Sequence, residues 1–446
     1  MDAAGKKILV VGLGKTGIAA VRFLAGRGAR IVAVDRKPVA DLGEVASELR
    51  DSEWSPGTYG PESLDGVSMV VPSPGVPPAD PILREAVRLG IPVLSELEIA
   101  FRFLRPPAVA ITGTNGKTTV TTLVGNILKE AGKKVFVGGN IGAPLAGYVG
   151  GPQDDDYAVI EVSSFQLQWI ERFHPRIAVH LNTTCDHVDY HGSFEEYRRV
   201  KDRIFANQEA GDLAILNADE PWPEERTRPI RAAIRCFSSS RPVADGMHLD
   251  ASDMVLSGPG APEERYPRSL VRIPGLHNLE NVMAAILACR ACGCPPEAVA
   301  RAVAEFSGIA HRIEYTATKG GVAFYDDSKG TNVDAVRRAL QTFDKPIVLL
   351  LGGRDKEGDF ETLAPLVRER VKHLILFGEA RDRIAERLGG TVPTEKIPSL
   401  GPAVETAYRR AADGDVVLLS PGCASFDEFV NYKERGRFFK EVVKQL

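Results

Sequence analysis

One stretch of this 446-residue chain leaves few folds open to it: Ala108-Val-Ala-Ile-Thr-Gly-Thr-Asn-Gly-Lys-Thr-Thr119. The small and branched apolar residues Ala108 to Ile111 read as a strand buried on both faces. Two glycines then free the backbone to turn, and a helical stretch follows. A buried strand turning directly into a helix belongs to a parallel α/β sheet, whose strands have helices packed on both sides. The turn has its own chemistry. From Gly113, Thr114, Asn115, Gly116, Lys117, Thr118 and Thr119, backbone N–H groups at a helix amino end present partial positive charge to an anion. Lys117 is placed to reach the β and γ phosphates of ATP, and the Thr118 hydroxyl to sit on Mg²⁺. The full phosphate-loop pattern has one more glycine, where this chain carries Ile111.

The same alternation recurs along the chain, enough for roughly three domains of about 150 residues. Strands are predicted at Lys7–Val11 and Arg30–Val34, then Ala108–Ile111, Tyr157–Val162 and Ile177–Leu181, then Pro346–Leu351, His373–Phe377 and Val416–Leu419. The expected architecture is therefore α/β with parallel sheets in three domains, 1–95, 96–308 and 309–446. A net charge of −4 gives no general attraction for nucleic acid. No run of eighteen apolar residues offers a membrane span. No long apolar run follows Met1–Lys7 as a secretion signal would require. Six cysteines in such a length fit reduced thiols and a cytoplasmic setting. Cys289, Cys292 and Cys294 cluster, but no fourth ligand follows at zinc spacing, so thiols are expected there too.

A phosphate loop needs an acid on a neighbouring strand to hold its metal, and Glu161 at the end of Tyr157–Val162 supplies one. Asp186, His187, Asp189 and His191 follow the next strand; such a mixture suits a divalent metal and equally suits a solvated loop. The helix after them opens with Ser193 and Glu196, the spacing of a capping box. Phe194, Tyr197, Val200, Ile204 and Phe205 share one face of it, and Lys201 falls in the middle of that face. A lysine there either snorkels its ammonium outward or has a functional charge to meet or a modification to carry.

Gly12-Leu-Gly-Lys-Thr-Gly17 follows the first strand and Asp35 ends the second, which matches the dinucleotide fingerprint of a Rossmann-like domain. A nicotinamide-dependent dehydrogenase is therefore the rival reading. The fold holds a nucleotide diphosphate without dictating hydride transfer, and a dehydrogenase has no need of a second, ATP-like loop. A non-catalytic UDP-sugar sensor is the third reading.

Taken together, Gly113–Thr118, Glu161-Val-Ser-Ser-Phe-Gln166, Asp186-His187, His277-Asn278 with Asn281, His311-Arg312 and Asp327-Ser-Lys-Gly-Thr-Asn332 resemble the Mur ligase family, in the family's order. Gly12–Gly17, Ser73-Pro-Gly-Val76 and Leu419–Phe429 are most similar to the branch that adds D-glutamate to UDP-N-acetylmuramoyl-L-alanine. The chain lacks the Asp-Asn-Pro-Arg segment linked with diamino-acid addition. The resemblance implies an ATP-dependent amide ligase, acting as a monomer on those substrates through an acyl phosphate, with two Mg²⁺ ions and domain closure. It implies that Lys15, Thr16, Asp35 and Arg36 lie at the uridine, Ser73 and Gly75 near the diphosphate, and Asn140, Gln166 and His187 along the sugar arm. It places a carbamate on Lys201, which turns a cation into an anion able to hold Mg²⁺ beside His187. Thr118 and Glu161 are the other implied metal ligands. Asn278, Asn281, Arg312 and Asp327 correspond to ATP contacts, although Asn278 by itself reads as a helix cap. Lys329, Thr331, Lys356, Ser425 and Tyr432 match acceptor positions, Tyr432 standing where the family has phenylalanine.

Overall fold

The computed structural model describes residues 3–37, 53–57, 59–260, 262–355 and 358–446, with only the backbone of 53–56 and 189. Two compact units result, Met1–Arg268 with Asn281–Val303, and Ser269–Glu280 with Ala304–Leu446.

The first unit holds two sheets. Strands β1 (Lys7–Val11), β2 (Arg30–Asp35), β3 (Glu53–Pro56) and β4 (Met69–Pro72) form a parallel sheet in the order β3-β2-β1-β4. Ile8 to Val11 are wholly buried: the helix Lys15–Ala25 packs Val21, Phe23 and Leu24 with Ile8 and Val10, while Leu9 and Val11 pack with Leu64, Ile82 and Leu83 on the other face. The second sheet has nine strands: β5 (Ala108–Thr112), β6 (Val135–Gly139), β7 (Tyr157–Glu161), β8 (Ile177–His180), β9 (Leu213–Asn217), β10 (Ala233–Ser238), β11 (Gly246–Leu249), β12 (Asp253–Ser257) and β13 (Glu264–Pro267). Their order is β13-β12-β11-β10-β9-β8-β5-β7-β6. The chain leaves β5 toward β6 on one side and resumes with β8 on the other. The carboxyl end of β5 thus lies where the strand order reverses, the place at which such sheets open a crevice for ligands.

The sheet of the second unit comprises β14 (Glu314–Lys319), β15 (Val322–Asp326), β16 (Ile347–Gly352), β17 (Val371–Phe377), β18 (Thr394–Lys396) and β19 (Val416–Gly422), ordered β14-β15-β19-β16-β17-β18. All-parallel sheets were the expectation, and both larger sheets depart from it at one edge. β11, β12 and β13 pair antiparallel, as do β14 and β15. The reason for the second is local. Lys319 and Val322 face each other across Gly320-Gly321, whose φ values of +52° and +78° are those of a two-residue hairpin turn that suits the strand twist.

Candidate active site

The loop after β5 is built by what surrounds it. Gly116 turns with φ +86°, and a side chain on it would collide with Asn281 Oδ1 and lie 3.1 Å from Leu181 Cδ1. From the segment after β8, Asn182 accepts from the Asn115 N–H at 2.8 Å and donates to the Asn115 carbonyl at 3.1 Å. Thr114 Oγ1 accepts from the Thr184 N–H at 3.0 Å and meets Tyr197 Oη at 3.0 Å. With the backbone thus pinned, Lys117 folds over its own loop, donating to the carbonyls of Gly113 (2.8 Å) and Thr114 (2.9 Å). Thr118 and Thr119 follow in the first turn of helix Lys117–Glu130.

Lys201 does not snorkel. It is 1% exposed, and its ammonium donates to the Gly113 carbonyl at 2.7 Å. It also lies 4.8 Å from the centre of the Tyr197 ring. Two lysines therefore converge on one carbonyl oxygen. Burial, then the nearby charge of Lys117, pushes Lys201 well below the ordinary lysine range. A neutral amine is the form that adds CO₂. The helix carrying it runs Phe194–Asp202 and tightens into a 3₁₀ turn at Arg203–Phe205. Half of the expected capping box is made: Ser193 Oγ accepts from the Glu196 N–H at 3.1 Å, while the Glu196 carboxylate instead pairs with Arg199 at 2.6 Å. The Arg199 guanidinium, one turn away, outcompetes a single N–H for that charge.

Glu161 ends β7 and is 2% exposed; its Oε1 accepts from Asn140 Nδ2 at 2.8 Å. Its other oxygen, Oε2, is buried with no hydrogen-bond partner. An orphaned carboxylate oxygen costs free energy unless a cation or donor arrives, so the site fits a divalent ion. Glu161 and Asp186 both act electrostatically on Lys201. His187 adopts φ +53° at the start of the short helix Val188–His191, with its ring edge-on to Phe165 at 4.8 Å and Nε2 3.6 Å from Asp186. His191 is buried against the same Phe165 ring, stacked on it at 5.8 Å, with Nε2 3.0 Å from Ser164 Oγ. The side chain of Asp189 lies outside the described residues.

On the first sheet, Asp35 accepts the N–H groups of Leu13 (2.6 Å) and Lys37 (2.8 Å), which fixes the glycine turn against β2. Arg36 pairs with Asp80 at 2.6 Å. Lys15 opens its helix and donates to the Gly142 carbonyl, beside Asn140. Thr16 is half-buried in the same first turn, and Gly75 faces open space. Ser73 Oγ donates to the Gly12 carbonyl at 2.6 Å. Gln166 is buried and its side-chain oxygen accepts from the N–H and hydroxyl of Ser163, each at 3.0 Å, in a complete capping box.

In the second unit Asp327 is buried, accepts from Ser420 Oγ at 2.7 Å, and is pushed by burial to a pKa of about 7. The Arg312 charge opposes that shift, so the two are neighbours. Asn278 does not cap: it lies inside the first turn of helix Leu276–Ala291 and donates to the Pro274 carbonyl at 2.6 Å. The Lys329 ammonium stands 4.2 Å from the centre of the Tyr432 ring. Ser425 is buried and Thr331 half-buried, and Lys356 lies outside the described residues. His311, Glu314 and Asp326 also gather closely, but Lys440 enters that group, 2.6 Å from Glu314. Cys289, Cys292 and Cys294 are buried thiols. Among the described residues no helix is long and apolar enough to cross a membrane.

Sequence reasoning missed Asn182, Thr184 and Ser420, which act through partners distant in the chain, and Asp80, which caps the helix Pro81–Arg88 through the Ile82 N–H as well as pairing with Arg36. Tyr197 was legible as core but not as a hydroxyl donor or acceptor, although a buried tyrosine needs a partner for its O–H.

A parallel sheet with a lysine-bearing phosphate loop, an orphaned acid and a buried lysine at its carboxyl edge defines a nucleotide-dependent enzyme of the α/β class. Comparison with known proteins narrows this. Residues 6–95 match the Mur ligase MurD-like N-terminal domain, 111–289 the Mur ligase middle domain, and 311–423 the Mur ligase glutamate ligase domain. The chain belongs to the Mur ligase family. It is 58% identical over 448 residues to the UDP-N-acetylmuramoylalanine–D-glutamate ligase of Syntrophus aciditrophicus, covering 100% of this chain and 99% of that one. The ligase of the same name from Geotalea daltonii is 44% identical with the same coverage. Among solved structures, a pseudomurein peptide ligase type C from Methanothermus fervidus superposes with a TM-score of 0.61 at 18% identity, over 99% of this chain and 100% of that one. The UDP-N-acetylmuramate–alanine ligase of Thermotoga maritima does so at 0.59 and 19%, over 98% and 99%. These two share the three-domain α/β fold. The first-domain match removes the dehydrogenase reading of Gly12–Gly17.

Proposed function

We propose that this chain joins D-glutamate to UDP-N-acetylmuramoyl-L-alanine at the expense of ATP, an amide ligation in peptidoglycan precursor synthesis. The observation that carries it is the phosphate loop with Lys117 and the orphaned oxygen of Glu161, in a chain alike along its whole length to D-glutamate ligases. We assign the three sheets to domains 1–95, 96–308 and 309–446, holding UDP-sugar, ATP and amino acid respectively. The reaction is assigned to a monomer in the cytoplasm.

A carboxylate is a poor electrophile, so it must be activated. The alanyl carboxylate attacks the γ-phosphorus, the bond to the β-phosphate oxygen breaks, and ADP leaves. The free amine of D-glutamate then attacks the acyl carbon, the C–O bond to phosphate breaks, and the amide nitrogen loses its proton. Lys117 exchanges the carbonyls of Gly113 and Thr114 for phosphate oxygens, where its charge meets the transferring group. Two Mg²⁺ ions, one held by Thr118 and Glu161 and one by His187 and a Lys201 carbamate, would supply neutralisation of phosphate charge. Asn281, over Gly116, contacts the nucleotide, as do Asn278, Arg312 and Asp327. The Lys15, Thr16, Asp35, Arg36, Ser73 and Gly75 group takes the uridine diphosphate, and Asn140, Gln166 and His187 the sugar–alanine arm. Lys329, Thr331, Lys356, Ser425 and Tyr432 receive the glutamate.

The test is phosphate release with ATP, Mg²⁺ and UDP-N-acetylmuramoyl-L-alanine, comparing D- with L-glutamate. Release that requires the D isomer is expected. Equal release with L-glutamate, L-alanine or a diamino acid would move the chain to another branch of the family, and no release at all would favour a sensor.

A further inference from the structure

Arg435 is among the largest side chains wholly shut off from solvent, at 0% exposed, and no role in the reaction above falls to it. A buried arginine ordinarily pairs with a carboxylate, because an uncompensated charge in the interior is costly. Here, among the described residues, no carboxylate lies within ion-pair distance of its guanidinium. It donates instead to three backbone carbonyls: Ala424 at 3.2 Å from one terminal nitrogen, and Ser328 (2.9 Å) and Cys423 (3.0 Å) from the other. Its Nε is buried with no partner. Burial lowers its pKa to about 10, so the group stays cationic at neutral pH.

What those carbonyls belong to gives the arrangement its meaning. Ser328 precedes Lys329 and leads into Thr331. Cys423 and Ala424 precede Ser425. Gly353, which opens the segment leading to Lys356, packs so that a side chain on it would sit 3.0 Å from the guanidinium and collide with the Ala424 carbonyl. Arg435 itself stands one turn into the helix Tyr432–Gln445. Two of these segments are therefore bonded to this one side chain, Gly353 packs beside it, and the helix of Tyr432 carries it. A flat fork of five N–H donors can span carbonyls from separate segments; an ammonium cannot spread its donors in that way.

We propose that Arg435 is a positioning residue for the amino-acid acceptor, tying the 328–331 and 423–425 segments, with Gly353 packed beside it, to the helix that starts at Tyr432. The proposal rests on the ligase reading above. Asp327 has anchors besides the neighbouring Ser328 carbonyl, namely Ser420 Oγ and its own N–H to the Leu419 carbonyl. The expectation is that these keep the nucleotide side of the same sheet in place when Arg435 is changed.

The full-length enzyme tests this with Arg435→Met and Arg435→Lys, reading two reactions side by side. One is amide formation as a function of D-glutamate concentration. The other is acyl phosphate formation without any amino acid, trapped by hydroxylamine as the hydroxamate. Arg435→Met should raise KM for D-glutamate at least about tenfold, since a displacement of about 1 Å in a positioning contact is enough for losses of that order. Hydroxamate yield and KM for ATP should stay within about twofold of wild type, and Arg435→Lys should fall between. Loss of both reactions in parallel, or folded variants with unchanged KM for D-glutamate, would overturn the proposal. So would failure of both variants to fold, which would make Arg435 a core anchor alone. If the wild-type chain yields neither amide nor hydroxamate, the ligase reading fails first and separately.

Discussion

The first unit makes the same local move twice: a buried strand runs into a glycine turn and then a helix, at 7–25 and again at 108–130. The two turns are held in different ways. At the first, the backbone packs on itself. Gly17 lies so close to Gly12 that a side chain on it would overlap the Gly12 carbonyl oxygen and sit 2.7 Å from Ser73 Oγ, and the Asp35 carboxylate takes the Leu13 N–H. The lysine at that helix start, Lys15, reaches away to the Gly142 carbonyl. At the second, groups from elsewhere do the holding: the Asn182 and Tyr197 side chains and the Thr184 N–H pin Thr114 and Asn115, and Lys117 curls back onto the loop. The proposed reaction makes the contrast one of task. A turn that receives an unreacting diphosphate needs only close backbone approach. A loop around a phosphoryl group in transfer needs its donors fixed before charge moves, since preorganised dipoles have no reorganisation left to undergo.

The largest expected effect tests that division directly. Lys117→Ala should lower kcat for ATP-dependent phosphate release by about 10³-fold or more, with an unchanged circular dichroism spectrum and an unchanged KM for the UDP-sugar. Near-native turnover would make the two turns equivalent and end the comparison. The next concerns Lys201, which shares the Gly113 carbonyl with Lys117. Lys201→Ala should lose activity about 10²-fold, and short carboxylic acids should restore part of it by standing in for a carbamate; full activity without additive would leave Lys201 a packing residue. A pH effect on stability goes with it. Because the folded pKa lies well below 10.5, the folded chain binds fewer protons than the unfolded chain between those two values. Stability therefore rises with pH through that window and falls as pH drops toward the folded pKa. In CO₂-free buffer Lys201→Met should resist denaturant better than wild type at neutral pH, the gap closing toward pH 10.5.

Much of this contrast could be read before any coordinates, and the unread part has a common cause. The strand–turn–helix units and Lys201 on an apolar face are periodic features, and periodicity is local. Glu161 could be placed at a strand end for the same reason. Asn182 bonding Asn115, Ser420 bonding Asp327 and Arg435 reaching Ser328 are not local: 67, 93 and 107 residues separate the partners. Helical spacing puts Arg435 on the buried face with Phe439 and Val443 and leaves Arg437 exposed, but only the sheet order that brings β15, β16 and β19 together shows which carbonyls it reaches. The antiparallel edge at β14–β15 is a different kind of omission, since Lys319-Gly-Gly-Val322 is a legible hairpin signal that strand–helix alternation overshadowed.

The smallest effects separate the two kinds of glycine within a single turn. Gly17→Ala meets a backbone carbonyl, which cannot rotate away as a side-chain end can, so the helix start or the Gly12 turn must shift. Overpacking of this kind costs about 1–3 kcal/mol. The expected outcome is a lower denaturant midpoint with a raised KM for the UDP-sugar and little change in KM for ATP. Gly14→Ala, three residues earlier, puts its methyl group where nothing lies within 4 Å, on a residue whose φ of −70° suits any side chain. It should change stability by no more than about 0.5 kcal/mol. If the two substitutions proved equally mild, the first turn would not be held by backbone packing, and its difference from the phosphate loop would have to lie in Asp35 and Ser73 alone.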